Sequence, residues 1–196
     1  MNPEAPIATF RLENGTAITQ ALPQSMAAVT TQTPALEVMT DLSKVRAATT
    51  APATSLREAE QMMIQQGVRM LFVVTEMPSI SGLITSTDLS GDKPMRVVSE
   101  RNIHFDELTV GDVMTPLNLL DAIDLDLMHT ATVGNLVATL KRLGRNHLLV
   151  VEQTSQAMPR RIRGVISRSQ IERQLGSPIV VTQIANSFSE IERALF

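Results

Sequence analysis

Residues 70–85 read Met70-Leu71-Phe72-Val73-Val74-Thr75-Glu76-Met77-Pro78-Ser79-Ile80-Ser81-Gly82-Leu83-Ile84-Thr85, and this stretch decides the fold because the chain carries it twice. Five apolar residues, a Met77-Pro78-Ser79 turn and a second apolar run opened by glycine predict two short strands, the first buried on both faces. The second copy is His147-Leu148-Leu149-Val150-Val151 followed by Gly164-Val165-Ile166-Ser167, with Gln153 to Pro159 as a longer loop between.

Working outward, each pair of strands follows a helix. Ser55 with Glu58 three residues later predicts a capping box, Leu56, Ala59, Met62 and Met63 share one face, and Gly67 ends the helix. In the second copy Thr132 caps, Val133, Leu136, Val137, Leu140 and Leu143 form the stripe, and Gly144 ends it. Second helices are expected to start at Ser86 to Leu89, extended by Pro94 to Asp106, and at Ser169 to Leu175. Upstream, Val38-Met39-Thr40 recurs as Val113-Met114-Thr115. Two copies are too few for a solenoid and make a pseudo-symmetric pair.

The fold class expected is therefore α/β (α+β), with two units, 34–105 and 106–176, each a small sheet packed with two helices. An N-terminal extension, 1–33, has a hairpin signal at Asn14-Gly15. The C-terminal segment, 177–196, should hold a short helix capped at Ser187, whose Ile191, Leu195 and Phe196 dock on the body or on a second subunit.

Composition narrows the function. The 196 residues carry 17 basic against 20 acidic side chains, a net charge of −3, and no cysteine, tryptophan or tyrosine. Near-balanced charge and five phenylalanines argue against nucleic-acid binding. The lack of cysteine excludes disulfides and thiolate chemistry and fits a cytoplasmic location. No apolar run reaches a membrane span, and His104, His129 and His147 are not spaced as zinc ligands. The Arg160-Arg161-Ile162-Arg163 cluster reads as a solvated loop.

The sharpest local pattern is Gly82-Leu83-Ile84-Thr85-Ser86-Thr87-Asp88, a strand running into a helix start. First-turn amides lack internal partners and sit at the positive end of the helix dipole, so they suit a phosphate, with the Thr85 and Thr87 hydroxyls as further donors. Asp88 is an acceptor placed for a ribose diol. Thr-x-x-Asp is equally an ordinary helix cap that binds nothing.

The duplicated helix–strand–strand–helix unit, the Met114-Thr115-Pro116 lead-in with its partner Met39-Thr40-Asp41, and the motif ending at Asp88 together resemble the cystathionine-β-synthase (CBS) domain, and two in tandem resemble a Bateman module. The resemblance covers roughly residues 34–176. It implies an adenosine-containing ligand (AMP, ADP, ATP or S-adenosylmethionine) in the cleft between copies, with Thr85 on phosphate, Thr87 beside it and Asp88 on the ribose. It also implies basic help from just before the central strand, at Arg69-Met70, with Asn146-His147 in the second copy. Arg69 has the alternative of a plain surface arginine. The second copy keeps a hydroxyl at Ser167 but places Gln170 where the family has aspartate, so two unequal clefts are expected, the Asp88 one the better ribose site. Gln170 is expected to close a capping box with Ser167, Arg168 to be solvated, and the segment around His129 and Thr130 to pack on a base.

With no Walker loop, GxGxxG, HExxH or GxSxG, the expectation is a freestanding regulatory sensor, not an enzyme, needing no metal or cofactor. It would form a homodimer through the second helices and signal to an unknown protein partner in trans. The alternative is a ligand-free dimerisation or scaffold module.

Overall fold

A computed structural model describes residues 28–153 and 159–180. The Asn14-Gly15 hairpin and the helix capped at Ser187 lie outside these residues, as does most of the 153–159 loop. In chain order the elements are a 3-10 turn, Ala35–Val38, then β1 (Met39–Asp41), β2 (Thr49–Thr50), α1 (Leu56–Gln66), β3 (Met70–Glu76), β4 (Ser79–Thr85), α2 (Ser86–Ser90) and α3 (Lys93–Arg101). The second half continues with α4 (Val110–Val113), β5 (Thr115–Pro116), β6 (Ala122–Asp124), α5 (Leu125–Met128), α6 (Val133–Leu143), β7 (His147–Glu152), β8 (Arg161–Ser167) and α7 (Arg168–Leu175).

The repeated helices form where the caps predict. Ser55 and Glu58 make a reciprocal capping box and Gly67 closes α1 at φ 64°. Thr132 pairs with Asn135 in the same way, and Gly144 closes α6 at φ 63°. Left-handed φ is strained for any residue with a Cβ, so glycine suits both stops. Leu56, Ala59 and Met63 are buried from α1, and Val133, Leu136 and Leu140 from α6. The second helix of the first unit differs from expectation. It breaks after Ser90, where Gly91 is extended, and restarts as α3 at Lys93, with Pro94 in its first turn.

Two four-stranded sheets result, ordered β2-β3-β4-β5 and β1-β8-β7-β6. In each, the apolar strand pairs antiparallel with the glycine-opened one: Phe72 faces Leu83, and Leu149 faces Val165. The lead-in segments are exchanged. β1, from the first copy, pairs with β8 of the second, and β5, from the second, pairs with β4 of the first. Leu108, Val110 and Val113 accordingly pack in the core of α1 and β3, while Ala35 and Val38 pack with α6 and α7 residues. A third cluster, Met70, Phe72, Leu83, Leu149 and Val165, joins the faces of the two sheets and holds the units together.

Candidate functional site

Between the units lie two clefts related by the pseudo-symmetry, each built from the motif end of one copy and the start of the apolar strand of the other. The first, about 230 Å³, is lined by Thr85, Thr87 and Asp88 on one side and Asn146 and His147 on the other, with Leu119 to Asp121 closing it. The second, about 880 Å³, brings Ser167, Ser169 and Gln170 against Arg69 and Met70. Its apolar wall comes from Ala47, Ala48, Phe72 and Val165, and its charged rim from Arg46, Arg69 and Arg173. Small-molecule sites typically enclose about 300–1,000 Å³. The Ser167 cleft falls in that range and the Asp88 cleft below it.

At Asp88 the local chemistry is that of a helix cap. Its Oδ2 accepts from the Thr85 amide at 2.8 Å and the Thr85 hydroxyl at 2.6 Å, and the Asp88 amide donates back to Thr85 Oγ1 at 3.3 Å. The same reciprocal bonds start α1 at Ser55 and Glu58 and α4 at Thr109 and Asp112. Thr87 Oγ1 accepts from Asn146 Nδ2 across the cleft at 3.3 Å.

At Ser167 the cap does not close, contrary to expectation: no side-chain bond caps α7. Ser167 Oγ lies 3.0 Å from Ser169 Oγ instead. Gln170, one methylene longer than aspartate, extends to β1. Its Oε1 accepts from the Thr40 hydroxyl at 3.2 Å, and its amide donates to the Val38 carbonyl at 3.4 Å. The exchange of lead-in strands puts those partners within reach.

His147 stands where the two clefts meet and lines both. Its Nδ1 is buried without a hydrogen-bond partner. Burial holds the imidazole neutral down to about pH 4; nearby Asp88 pulls the other way, and Arg168 and Arg69 add to the depression.

Residues 35–91 match the CBS domain family. That stretch, the larger part of the first unit, is a CBS domain. The second unit lies outside the matched residues but repeats the topology of the first. Among solved structures the fold is similar to an uncharacterized conserved protein from Pyrococcus horikoshii, with 20% identity, 73% of this chain and 92% of that one covered, and a TM-score of 0.51. It is also similar to a CBS-domain containing protein from Agrobacterium tumefaciens, with 18% identity, 68% and 88% covered, and a TM-score of 0.50. The CBS-pair protein CBSX2 from Arabidopsis thaliana, in its complex with AMP, aligns at 19% identity over 72% of this chain and 94% of that one, with a TM-score of 0.46. No curated protein matches the chain.

The six residues singled out from the CBS motif divide between the clefts. Thr85, Thr87 and Asp88 share the small one, while Arg69, Met70 and Ser167 share the large one. Each motif meets the strand start of the opposite unit, so Arg69 faces Ser167 and Asn146 faces Thr87. His129 and Thr130 are exposed and line neither cleft, because the helical turn α5 intervenes between β6 and them. Leu119 to Asp121 and Val45 to Ala48 take that place instead.

Two further charges are not solvated as the sequence suggested. Arg163 pairs with Asp41 and reaches Glu152 at 3.3 Å, tying β8 to β1. Arg168 lies 3.6 Å from Glu172. Two bonds from Ser43, then Arg163, hold Asp41 down at about 2. Sequence reading missed Arg46 and Arg173. The signal available was the pseudo-symmetry itself, which places the segment before β2 opposite the second motif. Among the described residues no group of three or more histidines and carboxylates is arranged for a metal ion, and no helix is long and apolar enough to cross a membrane.

Proposed function

We propose that this CBS pair is a regulatory module that binds an adenosine-containing ligand of the AMP, ADP or ATP class between its units and passes the bound state to a protein partner in trans. It acts as a sensor rather than a catalyst, and as a homodimer paired through its second helices. The observation that carries the reading is the Ser167 cleft: about 880 Å³ between the units, with an apolar wall at Met70, Phe72 and Val165 and arginines at its rim. A purine suits the wall and a phosphate the arginines and the hydroxyls of Ser167 and Ser169.

The mechanism is linkage. A ligand gripped by Arg69 of one unit and Ser167 of the other favours the relative arrangement that offers both, and a partner that prefers this arrangement binds more tightly. Thermal unfolding with AMP, ADP, ATP and S-adenosylmethionine tests it. A ligand at about 100 times its Kd contributes about 2.7 kcal/mol, raising Tm by about 5–10 °C for a chain of this size. A flat response to the whole panel would contradict the reading.

A second reading, a ligand-free dimerisation or scaffold module, is favoured by the closed Thr85–Asp88 box, which is bonded as the caps of α1 and α4 are. A flat thermal panel with an intact dimer would support it.

A further inference from the structure

The Ser167 cleft holds no carboxylate open to a pair of ribose hydroxyls. Both ends of the Gln170 amide are engaged, by Thr40 and by the Val38 carbonyl. Glu172 is the acidic side chain of the lining, and its Oε1 accepts from the Ile179 amide at 2.9 Å and lies 3.6 Å from Arg168. A diol entering here meets no unspent acidic acceptor.

Positive charge is in surplus. Arg46 comes from the β1–β2 loop, Arg69 from the residue before β3 and Arg173 from α7, and none of the three side chains has a hydrogen bond or ion pair among the described residues. Three cations around one cavity raise its potential and concentrate anions there. The Ser167 and Ser169 hydroxyls, which do not cap α7, line the same cavity. A single phosphate group meets fewer of these donors than a chain of phosphates does, and planar guanidinium forks suit several phosphate oxygens at once. The volume, near the upper part of the range for small-molecule sites, leaves room for the longer ligand.

We propose that the Ser167 cleft selects a multiply phosphorylated adenosine compound and does not read its ribose hydroxyls. The inference rests on the adenosine reading above and narrows it. Calorimetric titration of the full chain with ATP, 2′-deoxy-ATP and AMP, repeated on Arg173→Ala, separates the two. ATP and deoxy-ATP should bind within about threefold of each other, and AMP at least about tenfold more weakly, from the lost charge-assisted bonds. Arg173→Ala should weaken ATP more than AMP and narrow that ratio. Deoxy-ATP about tenfold weaker than ATP, or AMP as tight as ATP, overturns the inference while leaving an adenosine sensor standing. No heat with any of the three removes the adenosine reading and the inference with it.

Discussion

Thr40 donates its hydroxyl to the amide oxygen of Gln170, 3.2 Å away and 130 residues along the chain. The bond ties the lead-in strand of the first unit to the motif helix of the second, at the wall of the larger cleft. It exists because β1 is exchanged into the second sheet, with Thr40 opposite Val165.

Thr40→Val keeps the shape of the strand and removes the donor. The Gln170 oxygen then loses its partner, which costs about 1–2 kcal/mol and lowers Tm by about 2–8 °C in a chain of this size. Thermal unfolding of the variant measures it, and an unchanged Tm would show that the bond does not hold the exchanged strand.

The exchange also explains two glycines. A Cβ at Gly82 would collide with the backbone carbonyl of Thr115, and a Cβ at Gly164 would sit 2.5 Å from Met39 Sδ and 3.0 Å from the Thr40 carbonyl. A thioether rotates aside more readily than a strand shifts. Gly164→Ala should therefore cost about 1–3 kcal/mol, in the range of overpacking, and Gly82→Ala more. Urea midpoints of the two variants should fall in that order, and the reverse order would contradict the packing described.

Much of this arrangement was legible in the chain. The caps at Ser55 and Thr132, the glycine stops and the paired apolar strands follow from spacing and backbone preference, which act over a few residues. The exchange of β1 and β5 was not legible, because the repeat Val38-Met39-Thr40 and Val113-Met114-Thr115 marks equivalence but not which sheet each joins. The site was half legible for the same reason. The motif types were readable, but not that Arg69 meets Ser167 instead of Asp88, nor that Gln170 would prefer Thr40 to its own cap.

His147 makes stability depend on pH. Its folded-state value is depressed to about 4 from 6.5, chiefly by burial, so the unfolded chain takes up a proton that the folded chain refuses. The contribution is fully present above pH 6.5 and is lost as pH falls from 6.5 towards 4, by up to about 3 kcal/mol. His147→Phe should flatten that part of the profile when urea midpoints are compared between pH 7 and pH 4. The same slope in both proteins would mean that the imidazole is not held neutral.

Asp41 works in a lower window. Hydrogen bonds from Ser43, then the Arg163 guanidinium, depress its carboxyl to about 2 from 3.8. Its stabilising effect is present above pH 4 and is lost as pH falls through 2. Asp41→Asn should lower stability at pH 7, with the gap to wild type closing between about pH 4 and 2. A gap that stays constant with pH would contradict the assignment.

The most direct test of the account is which cleft holds the ligand, measured by titrating ATP into Arg69→Ala and Asp88→Ala. Loss of the Arg69 contact should weaken binding about 10- to 150-fold, the worth of a charge-assisted bond, while Asp88→Ala, which removes a helix cap, should leave affinity within about threefold of wild type. Binding that survives Arg69→Ala unchanged and collapses in Asp88→Ala would place the ligand in the smaller cleft and contradict the account.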